Sequence, residues 1–364
     1  MTFDPNKPHL LAKLPTNATF DKSKFFEKIG NTRALLGELK GACRSIPEPL
    51  LLTYPTLIKE AVDSSKIENI ETQIIDVLQN EVFPESQRGS NESQVIKYRD
   101  AAMWGFKNLS ELGLSTRLIT GIQKILLSGD GSYRNLQNQI MNKSTSSIVY
   151  TPPISSSIPD YMSNWENYVN DKSTNDLDPL IKCAICHYQF EAIHPFGDGN
   201  GRTGRILMLL QLVEDNVIGI PILYVSNYIN KHRPEYYTVL NEVTSLGNWE
   251  AYISFMLDAF YSQSKATLEL VTKVNDTYDK FLEKLRSSES TKLIHNLDMI
   301  VDKLFTFPVI SPKLLSTTMN VGADTASRNL KLLAETGLIE AGKSGIYNLY
   351  FNRDLIQIMN NDSI

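Results

Sequence analysis

The chain has 364 residues, of which 42% are hydrophobic and 21% charged, the balance of a globular protein with room for two or three domains. Its 36 Lys and Arg against 41 Asp and Glu leave a formal charge of −5, which excludes a bulk nucleic-acid coat but not a local basic patch. Three cysteines imply no disulfide framework, and the polar start Met1 to His9 has neither the basic nor the apolar region of a signal peptide. No apolar run approaches the ~18 residues of a membrane span, so the expectation is a cytoplasmic, membrane-free protein.

Residues 1–20 read as an extended lead-in, after which helical periodicity dominates. Helices are expected over Phe25–Leu39, Tyr54–Ile70 (started by Pro55), Thr72–Val82, Glu92–Leu112 and Thr116–Leu127. The turn-rich stretch Gly129 to Arg134, followed by polar and β-branched residues up to Tyr150 and closed by Thr151-Pro-Pro153, reads as a short β-hairpin or flap. Helices resume at Pro159–Asn170, Leu177–Ile193, Gly201–Glu214, Tyr224–Asn230, Pro234–Thr244 and from Trp249 to about Arg286. Residues 290–364 read as a separate module, with helices Asn296–Phe305, Ser311–Met319 and Asp324–Thr336. A hairpin from Leu338 to Tyr350 follows, around Gly342-Lys-Ser-Gly345. Three helices plus a hairpin outline a winged helix. The expected class is mainly α, with an α+β module at the C-terminus. The expected division is 1–105, 106–265, a linking helix over 266–289, and 290–364.

The chemistry concentrates in His194-Pro-Phe-Gly-Asp-Gly-Asn-Gly-Arg-Thr-Gly-Arg205. An apolar helix ends near Ile193, a glycine-rich loop follows, and a new helix starts at once. The N–H groups and dipole at that helix start form an anion cradle. Arg202 and Arg205, three apart, add charge-assisted donors on one face. Asp198 places a carboxylate beside the cradle, as Mg²⁺ on a nucleotide phosphate requires. His194 is the group suited to general base work near neutrality. Together these suffice to transfer a phosphorus-centred group to a hydroxyl.

Cheaper readings fail. Gly199 to Gly204 matches the spaced glycines of a dinucleotide site but follows a helix, with no acidic residue about twenty positions on. Asp198-Gly-Asn200-Gly resembles a calcium loop, yet the twelfth position is Leu209 where a Glu is needed. Cys183-Ala-Ile-Cys186-His187 spells the haem-attachment pattern inside an apolar helix, where small core-facing cysteines are expected instead.

His194 to Arg205 is the complete signature of Fic-domain proteins, His-x-Phe-x-(Asp/Glu)-Gly-Asn-Gly-Arg-x-x-Arg. The stretches His187–Ile193, Tyr133-Arg134, Tyr150-Thr-Pro-Pro153 and Tyr224–Tyr237 are also similar to the family. With the N-terminal helices and the C-terminal module, the resemblance covers nearly the whole chain. It implies transfer of AMP from ATP to a protein hydroxyl. His194 would be the base, Phe196 the loop's anchor and Asp198 the Mg²⁺ ligand. Gly199, Asn200 and Gly201 would form the anion hole, with Asn200 orienting the α-phosphate. Arg202, Thr203, Gly204 and Arg205 would complete the phosphate site, Arg205 at the γ-phosphate, and Tyr237 would line the adenine or ribose pocket. The flap, through Asn138, Gln139 and Ile140, would pair with the target's backbone. The related Doc-type kinases carry a lysine in the glycine-rich turn, where this chain keeps Gly199 and Gly201.

Ser64-Ser-Lys-Ile-Glu68-Asn69 matches the family's inhibitory motif, (Ser/Thr)-x-x-x-Glu-(Gly/Asn). Ser64 and Glu68 are i and i+4 on a helix and share a face, from which a carboxylate could pair with Arg205 in place of the γ-phosphate. In the C-terminal module, Thr325, Ser327, Arg328, Asn329 and Lys331 would lie on a recognition helix. Residues 290–364 nevertheless hold seven basic and seven acidic residues, without the surplus that DNA binding runs on. The leading expectation is an autoinhibited protein AMP-transferase that also modifies itself. The alternatives are a nucleotide-sensing transcriptional regulator and an enzyme removing AMP at the same site. Self-association to a homodimer is compatible with either.

Overall fold

The computed structural model describes residues 3–16, 20–44, 50–142, 145–172, 177–288, 291 and 294–361. Among the described residues, eleven α-helices precede the C-terminal module: α1 Phe26–Arg44, α2 Leu50–Ile67, α3 Ile74–Glu81, α4 Ser90–Leu112, α5 Thr116–Leu127, α6 Ile158–Asn170, α7 Pro179–Ile193, α8 Asn200–Glu214, α9 Ser226–Lys231, α10 Arg233–Leu246 and α11 Trp249–Ser287. Between α5 and α6 lie β1 Ile140–Asn142 and β2 Ser147–Tyr150, an antiparallel pair with Ile140 opposite Tyr150 and Asn142 opposite Ser147. Residues 143–144 at the tip of the expected flap lie outside the described residues.

The core is built on α7 and α8, which are buried on nearly every side, as a helix packed between other helices must be. Asp178 caps α7 by accepting from the Leu180 N–H, and Pro179 occupies the first helical position. Cys183, Cys186 and His187 face inward from α7, with His187 Nε2 2.8 Å from the Tyr236 hydroxyl on α10. Burial pushes the His187 pKa down to about 3, so it is a neutral core group. The extended residues 3–16 strap the outside: the Gln189 amide donates to the Ala12 carbonyl at 2.8 Å, and the His9 N–H to the Thr151 carbonyl at 2.9 Å.

The C-terminal module holds α12 Leu297–Thr306, β3 Val309–Ile310, α13 Pro312–Met319, α14 Ala323–Glu335, β4 Glu340–Ser344, β5 Tyr347–Phe351 and α15 Arg353–Asn360. Its sheet is antiparallel in the order β3-β5-β4, with Glu340 opposite Phe351 and Val309 opposite the same residue. On α14, Thr325, Arg328 and Lys331 are exposed, Ser327 is half-buried and Asn329 is buried. The long α11 joins the two parts. Its far end packs Phe281 against Phe305 and donates the Tyr278 hydroxyl to Asp302 Oδ1 at 2.6 Å. No helix among the described residues is long and apolar enough to cross a membrane.

Three features differ from the sequence expectation. Helix α2 begins at Leu50, so Pro55 lies inside it rather than at its start. Residues 51–54 are all buried, and tertiary packing overrides the local preference of proline. The Thr56 hydroxyl donates to the Leu52 carbonyl at 2.7 Å within that turn. The two-residue β3 and the eight-residue α15 have no counterpart in the expected elements.

Candidate functional site

The loop between α7 and α8 is held open by its own backbone bonds. His194 terminates α7 in the left-handed region, φ 49°, with its N–H on the Phe190 carbonyl at 3.0 Å. That conformation is costly for a side chain larger than glycine and turns the imidazole out of the helix. Phe196 is buried against Tyr133 and Phe190. Asn200 closes the loop, its Oδ1 accepting from the Phe196 N–H at 2.8 Å and its amide donating to the Phe196 carbonyl at 2.9 Å. The residue expected to orient a phosphate therefore spends its side-chain amide on the loop. Gly199, at φ 73°, makes the left-handed turn into α8 that a side chain would strain. The first N–H groups of α8, at 200–202, precede the first backbone bond at the helix start, from the Thr203 N–H to the Gly199 carbonyl at 2.9 Å.

His194 is half-buried at the floor of the cleft. Its Nδ1 lies 3.3 Å from the Glu191 carbonyl, which as acceptor sets the tautomer and leaves the Nε2 lone pair free. Desolvation pushes its pKa down to about 4, against the opposing pull of the Glu191 carbonyl. The ring is thus a neutral base at physiological pH. Arg134 fastens the flap's root to this loop: its N–H donates to the Pro195 carbonyl and its Nε to the His194 carbonyl, both at 2.9 Å. The Asn138 amide donates to the Phe196 carbonyl at 3.2 Å, while Gln139 is exposed and Ile140 begins β1.

Arg205 is buried in α8, with a side chain only 2% exposed. Its Nε donates to the Ser64 hydroxyl at 2.8 Å, and its Nη2 to the Ser64 carbonyl and to Glu68 Oε1, each at 2.9 Å. The Glu68 side chain is 36% exposed. A buried guanidinium needs an anion, and the one supplied is the more exposed member of the pair. Burial pushes the Glu68 carboxyl up, but Arg205, with Arg202 and His194, outweighs it and holds the pKa below the usual carboxylate value. At Gly201 a Cβ would lie 2.5 Å from Glu68 Oε1 and 2.9 Å from Arg205 Nη1, so a side chain there would press on the ends of that pair. Glu68 and Asn69 lie in the turn just after α2, and Asn69, at φ 63°, has its Oδ1 3.2 Å from both terminal nitrogens of Arg233.

Two family models match the chain. The Fic/DOC family model covers residues 113–212 and the Fic/DOC family N-terminal model residues 26–107, together half of the chain. The chain belongs to the Fic/DOC family. The Fic loop lies in the first match and α2 in the second. A protein adenylyltransferase of Caenorhabditis briggsae is 34% identical over 109 residues, 29% of this chain and 20% of its own length. A probable protein adenylyltransferase of Aquifex aeolicus is 29% identical over 170 residues, 46% of this chain and 47% of its own. The chain thus spans from a fifth to about half the length of these curated relatives. The crystal structure of a Fic family protein from Desulfovibrio desulfuricans G20 superposes with a TM-score of 0.57 at 20% identity, covering 92% of this chain and 97% of that one, a likeness of fold.

The remaining residues of the Fic cleft fall into two groups. Arg202 lies near Asp198, Nη2 to Oδ2 3.8 Å, and its Nη1 is 3.3 Å from Gln94 Oε1. The Asp198 side chain is 79% exposed at the cleft mouth, with Oδ1 accepting from the Gly199 N–H at 2.7 Å. Among the described residues no group of three His, Cys, Asp or Glu could hold a metal ion. A single exposed carboxylate beside an anion cradle fits Mg²⁺ completed by phosphates and water, not an all-protein cage. Tyr237 on α10 is 46% exposed, with the Arg233 guanidinium 5.9 Å from its ring centroid. Thr203 faces inward, its hydroxyl 2.6 Å from Gln123 Oε1.

Sequence reasoning passed over Gln123, Glu60 and Glu191. The Gln123 amide also donates to the Asp198 carbonyl at 2.7 Å, so one α5 side chain holds both ends of the glycine turn. Glu191 fills the space over Gly204, where a Cβ would lie 2.3 Å from its Oε1, and burial raises its pKa to about 7. Glu60, one turn before Ser64, accepts from the Ser226 N–H and the Tyr98 hydroxyl, each at 3.0 Å. Burial pushes it up to about 7 despite the Ser226 bonds. The i, i+4, i+8 spacing of Glu60, Ser64 and Glu68 was the signal for it.

Proposed function

We propose that this chain is an autoinhibited protein adenylyltransferase, moving AMP from ATP to a Ser, Thr or Tyr hydroxyl of a protein, itself included. What carries the reading is the Arg205–Glu68 pair at the start of α8, near His194: a buried cation whose carboxylate partner is the more exposed of the two. The adenylyltransferase names of the relatives support the reaction type.

The target segment lies along the flap, and its hydroxyl faces His194 Nε2. His194 takes the hydroxyl proton as the oxygen attacks the α-phosphorus, the bond to the bridging oxygen breaks, and pyrophosphate leaves. The N–H groups at 200–202 hold the non-bridging α-oxygens, whose charge grows in the transition state. Arg202 and Arg205 hold the outer phosphates with charge-assisted donors. When bound at Asp198, Mg²⁺ supplies charge neutralisation on the phosphates. Tyr237 offers a half-exposed ring for the base. While Glu68 occupies Arg205, the γ-phosphate has no seat and ATP cannot lie in line for attack.

The test is to incubate wild type, Glu68→Gly and His194→Ala with Mg²⁺ and ATP labelled at the α- or the γ-phosphate. Protein-bound label is expected from the α position only, raised in Glu68→Gly and absent in His194→Ala. Label from the γ position only would make the chain a kinase. No label in any variant would shift the assignment to a nucleotide sensor. Release of AMP from a pre-modified protein in place of its addition would assign the reverse reaction.

A further inference from the structure

Helix α2 is buried along its length in an unusual way. Every residue from 51 to 61 is buried, polar and apolar alike. A helix packed on one layer buries a stripe and exposes the rest, so the outer face of α2 has a second cover. Helices α12 and α15 of the C-terminal module supply it. Tyr54 meets Phe307 edge to face, with ring centroids 4.9 Å apart. Lys59 is only 3% exposed, and its Nζ donates to the Met359 carbonyl at 2.5 Å, in the last turn of α15. A lysine is rarely buried without a partner, and a helix C-terminus, carrying the negative end of the dipole, suits a cation. A second contact runs beside it, Phe83 to Tyr347 at 5.2 Å with the Tyr347 hydroxyl 2.9 Å from Gln87 Oε1.

The two faces of α2 therefore answer to different parts of the chain. Glu60, Ser64 and Glu68 form the stripe turned on the Fic core. Lys59 stands one position away, about 100° round the helix; its Nζ lies 5.5 Å from the ring centroid of Tyr224 at the rim of the core and donates to Met359 of the module. We propose that the C-terminal module is the back half of the brake. It holds α2 against the cleft, and whatever draws α15 off Lys59 loosens Glu68 from Arg205. The proposal rests on the reading of Glu68 as the inhibitory group. It gives the module a regulatory task inside its own chain, whatever ligand its outer surface takes.

Lys59→Met keeps the apolar stem and removes the donor, and Tyr347→Ala weakens the second contact at a half-buried residue that begins β5. Each is to be compared with wild type in the initial rate of α-labelled AMP incorporation, alone and combined with Glu68→Gly. Lys59→Met is expected to raise the rate by roughly fivefold or more, within the usual range of coupling between sites, and Tyr347→Ala in the same direction by less. Neither should add to Glu68→Gly, because a brake already removed cannot be loosened again. Backbone hydrogen exchange over 64–69 should quicken in Lys59→Met. Wild-type rates in both variants, while Glu68→Gly is activated, would overturn the module's role and leave the brake standing. If Lys59→Met fails to fold, Tyr347→Ala decides by the same criterion. No activation in Glu68→Gly itself would instead remove the reading beneath the proposal.

Discussion

The Fic loop leads into the helix that carries Arg205, the end of α2 supplies that arginine's partners, and the two are encoded differently. The loop carries its base, carboxylate, anion cradle and two arginines within twelve consecutive residues, so chain connectivity alone sets their spacing. The brake reaches Arg205 from Ser64 and Glu68, which stand 141 and 137 positions away. Their place depends on how α2 docks, through Glu60 on one side and Lys59 on the other. On the proposed reading, the catalytic half of the site is local chemistry and the control half is packing. Damage to the loop should stop the reaction, whereas damage to the docking should start it.

The largest effect sharpens that contrast. His194→Ala should lower AMP incorporation by about 10²- to 10⁴-fold, the usual worth of a general base, with little change in melting temperature because the ring is only half-buried. Glu68→Gly should move the rate the other way, by roughly tenfold or more if the brake is worth at least ~1.4 kcal/mol. A smaller effect is the shape of the pH profile. With His194 held down to about 4 by burial, the Glu68→Gly rate should stay level from pH 8 to 6 and fall only as the pH approaches that value; a half-maximal point near 6.5 would show an unperturbed imidazole. The same shift makes folding stability drop as pH falls from the ordinary histidine value toward 4, since the unfolded chain takes up the proton first. The smallest is Gln123→Ala, which frees Thr203 and the Asp198 carbonyl. It should cost about three- to tenfold in rate, equivalent to ~0.7–1.4 kcal/mol, and leave the response to Glu68→Gly intact.

Much of this was legible in the residues. Thr116–Leu127 is reproduced as α5 to the residue, and the α7-loop-α8 arrangement follows from apolar runs broken by glycines. The spacing of four between Ser64 and Glu68 already brought a hydroxyl and a carboxylate to one side of the chain, although α2 ends at Ile67 and Glu68 stands in the turn just after it. What escaped was decided by distant partners. Pro55 reads as a helix start, but burial of residues 51–54 extends α2 back to Leu50. Helix α15 carries Leu355, Ile356 and Met359 on one face, a short signal at the chain's end that means little until its partner is known. The Asn200 side-chain bonds to the Phe196 backbone, only four positions back, belong instead to the loop itself. Lys59 looks like an ordinary solvated lysine, and nothing in its neighbours announces a carbonyl 300 positions away.

The central claim is that Arg205 exchanges Glu68 for a phosphate. Its most direct test is the initial rate of α-labelled AMP incorporation in Glu68→Gly and in Glu68→Gly combined with Arg205→Ala. If the carboxylate and the nucleotide compete for one guanidinium, the single variant is activated and the double variant falls to or below the wild-type rate. A double variant as active as Glu68→Gly would contradict the account, because the brake would then act without the arginine it is seen to hold.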